Sequence, residues 1–124
     1  MKTPLITSIL LLMSDPIMRS VVQETLANEG YSVFPAGDLG KAVDRLKETT
    51  PDLLIIRSYV EGIAGYEAAR FLRTKCPGLR VLMVGGLMDD DRLRNPMTLA
   101  KFDIFPKPFT AASLIDKVKE VLAK

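Results

Sequence analysis

An α/β fold, a parallel sheet with helices on both sides, is what this chain of 124 residues predicts, and three observations carry the reading. Residues Leu53-Leu54-Ile55-Ile56 form an unbroken aliphatic run, entered through Pro51-Asp52 and ended by Arg57, as in a strand buried on both faces. Comparable runs occur at Ile9 to Met13 and Val81 to Val84. Between the runs lie segments whose apolar residues recur at helical spacing, and such alternation implies parallel strands joined by helical crossovers. In open sheets of this kind ligands sit beyond the carboxyl ends of the strands, so Arg57 is expected to point at the functional edge.

The elements are taken in chain order. The apolar stretch from Leu5 to Met13, preceded by Lys2, resembles the start of a signal peptide. It lacks a small-residue cleavage pattern and is stopped early by Ser14-Asp15-Pro16, so it reads as the first central strand. Asp15 caps a helix with Pro16 at its first position, along which Ile17, Val21, Val22, Thr25 and Leu26 form one expected inward stripe, and Gly30 ends it. A strand from Tyr31 to Pro35 leads to a helix capped by Asp38, with Leu39, Ala42, Val43 and Leu46 facing inward. After the strand ending at Arg57, residues Ser58 to Ala64 read as a loop carrying Gly62. Gly65 then opens a helix packed through Ala68, Ala69 and Leu72. Arg80 to Val84 form a fourth strand closed by Gly85-Gly86, and Phe102 to Phe105 a fifth. The helix between these two is the weak one, because Asp89-Asp90-Asp91 suits its start but Pro96 breaks or kinks its later turns. Thr110 caps a last helix on which Leu114, Ile115, Val118, Val121 and Leu122 recur at helical spacing.

Composition narrows the function classes. A hydrophobic content of 48% supports one core over residues 1–124 without a disulfide or metal. Seventeen basic and fifteen acidic residues are mixed along the chain, net +2, with no dense basic cluster to suggest nucleic acid. Cys76 is the single cysteine, which suits a reducing cytoplasm, and the absence of histidine argues against zinc sites and histidine acid–base chemistry. No stretch approaches the roughly 20 apolar residues of a membrane span.

Asp15-Pro16 after an apolar run, the Gly65 turn after the central strand and Lys107-Pro108-Phe109 near the end together resemble the receiver domain of two-component response regulators, over almost the whole chain. The resemblance implies a single (βα)5 flavodoxin-like domain with a five-stranded parallel sheet in the order 2-1-3-4-5. It also implies what is missing. Arg57 falls on the aspartate that receivers phosphorylate, Met13 and Ser14 on the acidic pair that holds magnesium, and Gly85 on the Thr or Ser that contacts the phosphoryl group. Lys107 alone survives, beside Pro108, and the aromatic switch position of the family is Ile104. The face usually used for partners would include the Pro96 segment, Ile104 and the last helix with Lys117 and Lys119.

Each of these residues also has a plain structural reading. Arg57 as a strand-end cation reaching water or pairing with Asp15 is favoured over a dedicated ligand, Asp15 is a helix cap first, and Lys-Pro-Phe can serve simply to fix a loop. The Asp89–Asp91 run is a solvated helix start, and Gly85-Gly86 is too short a pattern for a phosphate loop. Electrostatics separate an active from an inactive centre. Magnesium wants near-octahedral oxygen ligands including carboxylates, whereas these positions supply a thioether, a hydroxyl and a cation. If Arg57 and Lys107 stood about 6 Å apart, their repulsion would be on the order of 3 kcal/mol at an effective dielectric near 20, so Asp15 is expected to pair with one of them. The sequence therefore predicts a receiver-like module that is not an enzyme, uses no cofactor and binds a signalling protein (a kinase, an output domain or another regulator) without phosphorylation, a homodimer being left open. Two alternatives stand beside it: an active receiver with another acceptor such as Asp15 or Asp52, and a small-anion or nucleotide-binding protein using Arg57 and Lys107.

Overall fold

The computed structural model describes residues 7–57, 59–60, 63–84, 103–105 and 110–123; for 59–60, 63 and 103–105 the backbone alone is described. In chain order the elements are β1 (Ser8–Leu12), α1 (Pro16–Asn28), β2 (Ser32–Ala36), α2 (Leu39–Arg45), β3 (Leu53–Arg57), β4 (Tyr59–Val60), β5 (Ile63–Ala64), α3 (Gly65–Lys75), β6 (Arg80–Val84), β7 (Asp103–Phe105) and α4 (Ala111–Leu122). Five strands form one sheet in the order β2-β1-β3-β6-β7, and every neighbouring pair in it is parallel. The weak helix around Asp89–Asp91 and Pro96 lies outside the described residues.

The aliphatic runs explain why the sheet is covered twice. Along β1, Leu10 and Leu12 join one buried cluster with Leu54, Ile56, Val81 and Met83, roofed by Ala42 of α2 and by Ala68, Ala69 and Leu72 of α3. Ile9, Leu11, Leu53, Ile55, Leu82 and Val84 point the other way, against Val22 and Leu26 of α1 and Leu114, Ile115, Val118 and Val121 of α4. Successive side chains of a strand alternate between faces, so an all-apolar run needs two roofs. Each fully buried leucine or isoleucine contributes about 1.5–3 kcal/mol of transfer free energy, and the three central strands hold the greater share of these side chains.

The punctuation residues act as their chemistry dictates. Asp38 Oδ1 accepts the Lys41 amide N–H at 2.8 Å, and Thr110 and Ser113 form a reciprocal capping box at the start of α4. Gly30, at φ +95°, turns the chain out of α1 in a conformation that costs other residues dearly. Pro35 sits in β2, an edge strand, where a missing N–H is tolerated, and its carbonyl accepts Arg45 Nε at 2.9 Å.

Two expectations are corrected. The inward line of α1 is Met18, Val22 and Leu26, spaced four apart, whereas Ile17 and Val21 are 76% and 56% exposed. The α1 axis is rotated so that the i, i+4, i+8 row meets the sheet, leaving one edge of the apolar stripe in solvent. Within the expected Ser58–Ala64 loop the backbone forms a small antiparallel hairpin, Tyr59 opposite Ala64 and Val60 opposite Ile63.

Candidate functional site at the carboxyl edge of the sheet

Strand register brings the expected site residues to one level. Leu12 pairs with Ile56, Arg57 with Val84, and Val84 with Phe105, so Met13, Arg57 and the end of β6 stand side by side at the carboxyl edge. Arg57 is the last residue of β3 and is partly exposed there. Gly85 directly follows β6, and Lys107 and Pro108 come just after β7; all three lie outside the described residues.

Met13 is at this level, but its side chain does not face it. It is 1% exposed and packs among Ile9, Leu11 and Val22, so the thioether is part of the core. Its backbone is held from both sides, the N–H donating to the Ala36 carbonyl at 3.1 Å and the carbonyl accepting Arg19 Nη1 at 2.8 Å. Ser14, next along, is partly exposed and hydrogen-bonded or otherwise engaged.

Asp15 behaves as a cap. Its Oδ1 accepts the amide N–H groups of Ile17 at 2.9 Å and Met18 at 3.3 Å. The first-turn amides of α1 and the positive end of its dipole give this carboxylate a local partner that costs little chain ordering, which a long arginine side chain from β3 does not. The expected pairing with Arg57 is not found: among the described residues no ion pair joins the two. Asp38, which follows β2 at this edge, is likewise a helix cap. No group of three or more His, Cys, Asp or Glu side chains suited to a metal occurs among the described residues.

Arg19 is the site residue that the sequence reading missed. From the first turns of α1 its guanidinium reaches back over the end of β1, and a Cβ placed on Gly37 would lie 3.0 Å from its Nη1. Glycine at that position leaves the guanidinium room to bridge β1 and the β2–α2 turn. The available signal was its place four residues after the cap, on the side of the helix that looks back at the strand.

On the expected partner face, Pro96 lies outside the described residues, and Ile104 is described only as a β7 residue paired with Met83. Lys117 and Lys119 were expected on the partner face of α4 as exposed residues. Lys119 is exposed, at 61%, and reaches Glu29 beyond the end of α1 at 3.6 Å, whereas Lys117 is only 20% exposed and holds Glu120 at 3.1 Å. Lys119 therefore belongs to the seam between α4 and α1.

Comparison with known proteins agrees with this geometry. The sequence model of the family described as "Response regulator receiver domain" matches residues 9–119. Sporulation initiation phosphotransferase F of Bacillus subtilis is 26% identical over 105 residues, covering 85% of each chain. The probable transcriptional regulatory protein TcrX of Mycobacterium tuberculosis is 24% identical over 118 residues, and this chain spans 50% of its length. Sensor kinase CckA of Brucella abortus is 30% identical over 119 residues, and this chain spans 13% of its length. Among solved structures, a response regulator from Thermotoga maritima superposes with a TM-score of 0.82 at 22% identity, over 97% of this chain and 100% of that one. Chemotaxis response regulator CheY4 of Vibrio cholerae gives 0.81 at 19% identity, over 94% and 99%.

Proposed function

Because the chain belongs to the response-regulator receiver domain family, a signalling module of two-component systems, we propose that it is a receiver that binds its partner without being phosphorylated. The observation that carries this reading is Arg57 at the end of β3, level with Met13. Aspartyl phosphorylation needs a carboxylate nucleophile and a metal that neutralises the charge developing on the phosphoryl oxygens. Arg57 supplies neither. Of the other carboxylates weighed, Asp15 is a helix cap, and Asp52 sits at the opposite edge of the sheet with Oδ2 accepting the Ser8 N–H at 2.9 Å.

The sheet order β2-β1-β3-β6-β7 supports the layout 2-1-3-4-5. The module then requires no cofactor. Relatives that include a sporulation phosphotransferase and a sensor kinase point to a signalling protein as partner, whether kinase, output domain or other regulator. We assign its docking face to the Pro96 segment, Ile104 and the part of α4 bearing Lys117, and place the module in the cytoplasm. No helix among the described residues is long and apolar enough to cross a membrane.

The test is intact mass after treatment with acetyl phosphate and magnesium. The chain is expected to remain unmodified. A stoichiometric gain of one phosphoryl group, stable to acid and labile to base, overturns the reading.

A further inference from the structure

Three large apolar side chains stand exposed among the described residues, and they lie on opposite layers of the molecule. Ile17 and Val21, 76% and 56% exposed, belong to α1, which packs with α4 on one face of the sheet. Phe71, 43% exposed, belongs to α3 on the other face. One exposed hydrophobic residue is ordinary on a protein surface, so what surrounds each patch decides what it can do.

Both patches repeat one helical pattern. On α1 it is Ile17, Ser20, Val21 and Glu24, and on α3 it is Glu67, Arg70, Phe71 and Thr74, each set at positions i, i+3, i+4 and i+7 and exposed throughout. Four residues so spaced form the hole that receives a side chain of a facing helix. On α3 they line an open hollow with the Phe71 ring as its apolar wall, while α1 offers two projecting aliphatic side chains beside the small Ser20. Charge separates the patches as well. Glu24 is the one charged residue of the α1 set, whereas α3 carries Arg70 and, one turn beyond Phe71, Lys75 against the single carboxylate Glu67. Among the described residues no ion pair engages any of these four. Lys75 Nζ lies 5.1 Å from the centroid of the Phe71 ring, and its carbon stem can stay along the ring while the ammonium turns to a carboxylate. Pairing α1 with another α1 gives Glu24 no cation from this set; pairing α1 with α3 does.

We propose that α1 of one copy of this chain docks on α3 of a second copy, with Ile17 and Val21 against Phe71 and Glu24 facing Arg70 and Lys75. Because the two patches lie on opposite layers, each docked copy keeps one of them unused. The contact is therefore heterologous, and it adds further copies instead of closing at a dimer. Two short helix faces bury less than the roughly 1,200 Å² of a stable interface, so the association is weak and depends on concentration. It involves neither Arg57 nor α4, and holds whether or not the carboxyl edge is phosphorylated.

Analytical ultracentrifugation of the full chain from about 10 μM to about 1 mM tests this. The mean mass should rise with concentration along the isotherm of open-ended addition, without levelling off at the dimer. Phe71→Ser should stay monomeric, and so should the double variant Ile17→Ser with Val21→Ser, circular dichroism verifying that both are folded. Mixed in equal amounts, these two should associate again, since one keeps an intact α1 patch and the other an intact α3 patch, and the mixture should stop at the dimer. Glu24→Lys should weaken the association of the parent severalfold. A parent that stays monomeric throughout, a mass that levels off at the dimer, or folded variants that associate as the parent does overturns the proposal. So does a mixture that stays monomeric, or an association unchanged by Glu24→Lys.

Discussion

The two amide N–H groups that Asp15 accepts both belong to the first turn of α1, so its negative charge is placed for a helix and not for a metal or a distant arginine. Asparagine caps about as well as aspartate, and alanine does not. Asp15→Ala should therefore cost about 1 kcal/mol in urea denaturation, and Asp15→Asn only a few tenths. An asparagine variant as unstable as the alanine one would show that the charge itself matters and would restore a pairing role. Cys76 makes a second residue-level case. Burial, then Asp52, raise its thiol pKa in the folded chain, so the folded state holds that proton more tightly than the unfolded state. The resulting contribution is fully present below the ordinary thiol range and is lost as pH rises through the folded value. Stability curves of the parent and Cys76→Ala should hence diverge in alkali, the parent losing more. Parallel curves would mean that the thiol titrates alike in both states.

Helix α1 shows what an element's pattern can and cannot reveal. Leu26 lies in the row that meets the sheet, and Leu26→Ala should cost about 2–5 kcal/mol in denaturant midpoint experiments. Ile17→Ser and Val21→Ser, on the exposed edge of the same stripe, should stay within about 0.5 kcal/mol of the parent. Equal losses in both sets would place the sheet under the wrong side of the helix. The sequence showed that α1 exists, because Asp15-Pro16 starts it, Gly30 ends it and the spacing between them is helical. It could not show the rotation of the helix, since five apolar positions span a wider arc than the sheet covers. The central strands were legible for the opposite reason: in Leu53 to Ile56 every side chain is buried, so no choice of face arises. The hairpin of β4 and β5 escaped notice because two-residue strands are too short to display a period. At the carboxyl edge, the level of Met13 and Arg57 could be read from the strand ends. The inward turn of Met13 and the reach of Arg19 depend on side-chain directions that no linear pattern carries.

At the scale of the whole molecule, the core and the carboxyl edge share Met13. Met13→Asp would put a carboxylate among Ile9, Leu11 and Val22 and should cost about 3–5 kcal/mol if it stays ionised and unpaired. Magnesium should not recover that loss while Arg57 is present. With Ser14→Asp and Arg57→Asp added, two carboxylates at the strand ends offer a hard cation oxygen ligands while the one at position 13 starts from an inward-turned side chain, and thermal melts should become magnesium-dependent. A folded triple variant whose melting temperature ignores magnesium would mean that these strand ends do not converge. The sheet also limits how whole molecules can meet. The Ser32 N–H donates to Thr7 and the Ala36 carbonyl accepts from Met13, so the backbone polar groups of the even-numbered residues of β2 turn toward β1 and those of Val33 and Pro35 turn away from it. Pro35 has no N–H to offer there, and its carbonyl is already taken by Arg45. A second copy or an extended peptide that sought to lengthen the sheet along β2 would meet a broken ladder, which protects this edge from the strand-to-strand stacking that seeds fibres. Any assembly of this chain is consequently steered away from that border and toward its helices or its loops.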